Sequence, residues 1–131
     1  MGRLTFLLDT HVLLWWLFDD PKLSRTVRGL IEEPEHTILV SAASAWEIST
    51  KHRLGKLRGV EELLEDMGSW VVRAGFRQLP ILISHAQLAG SWPQAHKDPF
   101  DRMLAAQSAI EKVPLITRDE QLASFDIRVI W

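Results

Sequence analysis

The chain has 131 residues, 47% of them apolar, a formal charge of −2 and no cysteine. Such a length and composition suit a single domain over residues 1–131, with a core that needs no covalent staple. The missing cysteines exclude a disulfide scaffold, a zinc–thiolate site and a cysteine nucleophile, and they fit a reducing cytoplasm.

The beginning of the chain does not read as a secretory leader, because the apolar run over 4–8 is short and meets Asp9. Residues 13–18 are apolar but too few to cross a bilayer. A soluble cytoplasmic protein without a membrane partner is expected. Fifteen basic residues against seventeen acidic ones argue mildly against nucleic acid, whose binders are usually basic. That objection weakens if several carboxylates bind divalent cations and stop repelling phosphate.

Residues 5–8 form a short apolar run of the buried-strand kind, ending at Asp9. Residues 10–18 can then be helical, stopped by Asp20-Pro21. Ser24 is a good N-cap for a helix over 25–33, which Pro34 ends. Residues 37–40 are a second strand. Either Ser41 or Ser44 can cap the next helix, which reaches about Leu54 with Gly55 just beyond. Residues 61–67 read as a short helix, and an edge strand falls at 70–72 or at 76–79. Residues 84–89 look helical, ahead of Pro93. Asp98-Pro99 is a clear helix start, Asp as cap and Pro as first residue, for a helix to about Glu111. Residues 113–117 are a further core strand, 119–123 a short helix and 127–130 a last strand. Alternating strands and helices imply a parallel sheet covered on both faces, an α/β/α sandwich. Ligands of such sheets bind beyond the carboxyl ends of the strands. Asp9 falls at one such end, and Thr117 and Asp119 at another.

Acids that converge from distant segments repel, so they protonate or bind a cation. Carboxylates are the usual protein ligands of Mg²⁺, and a bound ion can activate water for phosphodiester hydrolysis. Each acid also has a plainer role open to it. Asp9 and Asp119 can cap the helices that follow them. Asp98 caps before Pro99, and Asp101, three residues on and on nearly the same face, can close a capping box; either can also reach a metal, with Asp101 preferred. Glu47 can pair with Lys51 at i,i+4 on an exposed face, although its neighbours Ala45, Trp46 and Ile48 leave little polar surface there.

Of the five histidines, His11 lies beside Asp9 and His96 just before Asp98, where each can touch substrate, although solvation or a local hydrogen bond is the plainer reading. No HExxH, GxxxxGK[ST], GxGxxG or GxSxG occurs. The six tryptophans suit core and oligomer interface better than base stacking. Lys51, His52, Arg53, Lys56 and Arg58 form a basic cluster, either a solvated face or a phosphate-tracking surface. Arg102 and Arg118 each neighbour a candidate ligand and can steady a phosphate.

Four segments resemble the PIN-domain family, closest to the VapC-type toxins of bacterial toxin–antitoxin pairs. They are Leu7-Leu8-Asp9-Thr10-His11, Ser41-Ala42-Ala43-Ser44-Ala45-Trp46-Glu47-Ile48, His96-Lys97-Asp98-Pro99-Phe100-Asp101-Arg102 and Thr117-Arg118-Asp119. They fall in the family's order across nearly the whole chain, and the DPFDR segment is the most specific. The resemblance implies a three-layer sandwich with a central parallel sheet and a Mg²⁺- or Mn²⁺-dependent endoribonuclease. It also implies a homodimer inhibited by a cognate antitoxin. By position the acidic set falls on Asp9, Glu47, Asp101 and Asp119, with Asp98 as an added acid. Thr10, Thr117, Arg102 and Arg118 are the expected substrate contacts. The stretch around Gly90-Ser91-Trp92 departs from the family's form. A PIN fold that processes RNA in another setting, or binds RNA or protein without cutting, is the alternative. A phosphorylatable receiver module would want acids side by side after the first strand, and a haloacid-type phosphatase would want an acid where His11 stands.

Overall fold

The structure is a computed structural model that describes residues 3–131. Five strands, β1 (Thr5–Leu8), β2 (Thr37–Ser41), β3 (Arg77–Leu79), β4 (Leu115–Ile116) and β5 (Val129–Ile130), form one sheet in the order β3-β2-β1-β4-β5. All pairings are parallel, and Leu7 sits between Leu39 and Leu115. The helices are α1 (Thr10–Leu17), α2 (Arg25–Glu32), α3 (Ala42–Arg53), α4 (Glu61–Glu65), α5 (Met67–Arg73), α6 (Ile83–Ser91) and α7 (Pro99–Glu111), followed by a 3₁₀ helix, Glu120–Phe125.

The strands are apolar on both faces because successive side chains point to opposite layers. Phe6, Leu8, Ile38, Val40 and Ile116 pack with Val12 of α1, Val27 of α2, Ile48 of α3 and Val71 of α5. Leu7, Leu79 and Leu115 pack on the other side with Leu104 and Ala105 of α7 and with Leu122 and Phe125. The result is the expected three-layer α/β/α sandwich. Each fully buried Leu or Ile contributes about 1.5–3 kcal/mol. A charge at Leu7, which has no exposed surface, would therefore break the sheet's centre.

The expected caps form. Ser24 Oγ accepts from the Val27 N–H at 3.1 Å, and Ser41, not Ser44, accepts from the Ala43 N–H at 2.9 Å. Besides shifts of one or two residues at other element ends, three boundaries differ from the sequence reading. The helix expected over 61–67 breaks at Asp66, whose carboxylate accepts from the Ser69 N–H and starts α5. Residues 70–72 are thus helical despite their β-prone side chains, since Val71 is buried in the core and the turn at Gly75 (φ 79°) ends the helix; the edge strand is the one read over 76–79. The strand expected over 113–117 shrinks to two residues, because Pro114 has no N–H to pair. Among the described residues no helix is long and apolar enough to cross a membrane.

Candidate active site

The sheet order reverses direction between β1 and β4: β1 continues to β2 and β3, and β4 to β5. A crevice opens at such a switch point, beyond the carboxyl ends of the strands. Asp9 is the first residue after β1 and Thr117 the first after β4, so the two meet in that crevice.

The buried Asp9 carboxylate has two partners. Oδ1 accepts from the His11 N–H at 3.2 Å, as an N-cap does, and Oδ2 accepts from the Thr117 hydroxyl at 2.6 Å. Thr117 Oγ1 in turn accepts from the Asp119 N–H at 3.0 Å, tying the last acidic segment to the first. Asp119 caps the 3₁₀ helix through the Gln121 N–H at 3.0 Å. Asp98 accepts from the Phe100 and Asp101 N–H groups, at 2.8 and 3.2 Å, and Pro99 follows as the first helical residue. The capping role and a place at the site are therefore not alternatives for these acids: all three do both.

Asp101 makes no capping-box bond; its Oδ2 bonds His96 Nε2 at 3.0 Å. Glu47 has 2% of its surface exposed, and its Oε2 pairs with Lys51. The i,i+4 pair foreseen from spacing thus exists, but at the edge of a cleft and not on an open face. Glu47 Oε1 is buried and finds no hydrogen-bond partner among the described residues.

Asp9, Glu47, Asp98, Asp101 and Asp119 line one cleft of about 190 Å³, with Lys51, His11, Trp15 and Arg118 in its walls. Oxygens of Asp101 and Asp119 and a nitrogen of His96 lie within 4.8 Å of one another. Roomier hollows lie at the opposite edge of the sheet around Lys112 to Pro114, but no group of carboxylates converges there.

The electrostatics agree with a site built for a cation. Burial pushes the Asp101 carboxyl up to about 6; Asp98, Asp9 and Glu47 add to the rise, and the His96 hydrogen bond opposes it. Burial also raises Asp9, against the pull of Thr117 and His11. Burial alone would lower Lys51, yet its pKa is raised, because the hydrogen bond and charge of Glu47, with Asp98 and Asp101 behind it, outweigh that effect. An oxygen-rich donor set with one orphaned buried oxygen fits a hard divalent ion such as Mg²⁺ or Mn²⁺.

Three of the expected substrate contacts have partners inside the protein. The buried Thr10 hydroxyl bonds Ser44 Oγ at 2.8 Å and joins α1 to α3. The buried Thr117 hydroxyl serves Asp9. The Arg102 guanidinium donates to four backbone carbonyls, those of Ala89, Trp92, Gln94 and His96, at 2.6–2.9 Å. Arg118 alone of the four reaches the cleft, its Cζ 6.0 Å from the Trp15 ring. Of the basic cluster, Lys51 turns into the cleft and His52 lies 3.4 Å from Glu61, whereas Arg53, Lys56 and Arg58 are exposed. The place of Lys51 in the cleft was missed, although its spacing from Glu47 was the signal.

Fold and site together define an α/β sandwich with an acidic cleft at the carboxyl edge of its sheet. The chain belongs to the PIN-domain family, whose profile matches residues 6–127. It is 28% identical to ribonuclease VapC22 of Mycobacterium tuberculosis over 123 residues, 92% of this chain and 91% of that protein. It is 37% identical to ribonuclease VapC16 of the same organism over 62 residues, 47% of this chain and less than half, 43%, of that protein. Its fold is similar to a crystal structure of VapBC2 from Rickettsia felis bound to a promoter DNA fragment. The TM-score is 0.69 at 12% identity, covering 97% of this chain and 98% of that one.

Proposed function

We propose that this chain is a Mg²⁺- or Mn²⁺-dependent endoribonuclease, the toxin of a VapC-type toxin–antitoxin pair, acting on RNA in the cytoplasm. The observation that carries the reading is the gathering of five carboxylates, from four separated segments, in one cleft at the sheet's switch point. Membership of the PIN family and similarity to proteins named ribonucleases support the activity. The VapC-type resemblance and the fold shared with VapBC2 support an antitoxin partner. A homodimer is the expected assembly, with exposed Trp46, Val72 and Ile83 as apolar surface available to it.

Asp9, Asp101 and Asp119 would hold the ion, with Glu47 turned to the same cleft. A bound ion of this kind supplies a polarised water and offsets charge on the phosphate. Glu47 Oε1, buried and without a hydrogen-bond partner among the described residues, would be the group to accept a proton from the attacking water. Lys51 holds the other Glu47 oxygen and so fixes the direction in which Oε1 points. Arg118, at the rim, is the cation placed to meet a phosphate. Asp98, both of whose hydrogen bonds cap α7, adds charge to the cleft. Splayed single strands or loops would present their backbone to the cleft more readily than a duplex.

The test is cleavage of a structured RNA pool with added Mn²⁺ or Mg²⁺ by the parent, Asp9→Asn and Asp101→Asn. Cleavage by the parent that falls at least about 100-fold in both variants is expected. Equal cleavage by all three would remove these acids from the reaction, and no cleavage by any would favour a binding module.

A further inference from the structure

We propose that His96 is a metal ligand, so that one subsite of the acidic cleft is a nitrogen–oxygen site of His96, Asp101 and Asp119 that favours Mn²⁺ over Mg²⁺. The proposal rests on the nuclease reading above and deepens it.

The first ground is spacing. Metal–ligand bonds of about 2.1 Å at right angles set neighbouring donors about 3 Å apart. His96 Nε2 and Asp101 Oδ2 are 3.0 Å apart, and an Asp119 oxygen completes a group within 4.8 Å. The hydrogen bond between the first two can thus exchange for two bonds to one ion with little movement. Glu47, whose buried Oε1 has no hydrogen-bond partner among the described residues, lines the same cleft.

The second ground is how firmly the ring is delivered. His96 lies on a segment without regular structure between α6 and α7, yet it is only 14% exposed at the side chain. Arg102 grips the carbonyls of Trp92, Gln94 and His96, and Gln94 Nε2 donates to the Ser124 carbonyl at 3.1 Å. Phe125 underlies the arrangement, with the His96 ring edge-on at 5.8 Å, the Trp92 ring at 4.9 Å and the Arg102 guanidinium carbon at 5.5 Å. An irregular segment tied at so many points holds its histidine in one place, as metal sites require.

The third ground is donor chemistry. Carboxylates alone suit Mg²⁺ and Mn²⁺ alike, whereas an imidazole nitrogen favours the transition metal. His11, which lines the cleft, has Nδ1 3.9 Å from Asp9 and a side chain 58% exposed, so it lacks both the spacing and the fixed ring.

The experiment is electron spin echo spectroscopy of Mn²⁺ bound to the full chain, which detects nitrogen coordinated to the ion. The parent and His11→Gln are expected to show histidine nitrogen modulation, and His96→Gln to lose it while losing about 10- to 100-fold in Mn²⁺ affinity by calorimetry. The His11→Gln arm assigns the signal even if His96→Gln folds poorly, since the remaining histidines are engaged elsewhere: His36 with the Leu30 carbonyl, His52 with Glu61 and His85 with Glu111. Bound Mn²⁺ without nitrogen modulation in the parent would overturn the ligand role and leave the nuclease reading standing. So would a signal lost in His11→Gln and kept in His96→Gln. Failure of the parent to bind Mn²⁺ at all would overturn both.

Discussion

The Thr117 hydroxyl donates to Asp9 Oδ2 across 2.6 Å, joining two residues 108 positions apart. This bond fixes a carboxylate that burial would otherwise leave poorly satisfied, and it sets which oxygen lone pairs face the cleft. Removing a partner of this kind leaves a buried acceptor unpaired, at about 1–3 kcal/mol. Thr117→Val is therefore expected to lower Mn²⁺ affinity about 10- to 100-fold, with Thr117→Ser close to the parent. Isothermal titration of the two variants checks this, and equal affinities would show the hydroxyl to be dispensable.

Asp101 gives a pH dependence with a definite sign. Its folded pKa, about 6, lies above the ordinary 3.8, so the folded chain holds this proton more tightly than the unfolded one. Its contribution to stability is thus full below about pH 4 and is lost as the pH rises through about 6. Discounted for partial exposure, the loss is about 1–2 kcal/mol in metal-free protein. Urea unfolding in EDTA should find Asp101→Asn more stable than the parent at pH 7.5, with the gap closing at pH 4. A gap that widens toward acid would contradict the sign.

Arg102 makes four charged hydrogen bonds to backbone carbonyls. Lysine cannot reproduce the planar fork. Arg102→Lys should cost about 3 kcal/mol or more in urea unfolding, and amide exchange over residues 92–98 should quicken. A loss under about 0.5 kcal/mol would mean that the segment holds itself in place.

Lys51 is the counter-ion of a buried glutamate. Breaking a buried pair by removing one member leaves an uncompensated charge. Lys51→Met should lower metal-free stability by about 1–3 kcal/mol at pH 7, and Mn²⁺ should raise its melting temperature more than the parent's. Equal Mn²⁺-induced shifts would separate Lys51 from the ion site.

Much of this was legible in the sequence because the signals are local. Asp98-Pro99 announces a helix start, 5–8 and 37–40 are short, β-prone apolar runs of the buried-strand kind, and the alternation of elements implies a parallel sheet. The positions of Asp9 and Thr117 at strand ends then bring the acids together. What remained hidden is tertiary. Propensity cannot tell that Trp70-Val71-Val72 turns helical once Asp66 caps it and Val71 finds the core. Arg102 looks like a phosphate ligand until the carbonyls of an irregular segment are seen to surround it. For His96 the local hydrogen bond, to Asp101, is the one of its plainer readings that forms, and sequence does not show that Phe125, 29 positions on, comes up beneath the ring.

The double duty of Asp9 separates two properties that usually fail together. Asparagine caps helices about as well as aspartate, so it can keep the His11 amide and start α1 while withholding the negative charge from the cleft. A chain of nearly native architecture without that charge is thus one substitution away, and on the function proposed above it would hold an RNA without cutting it.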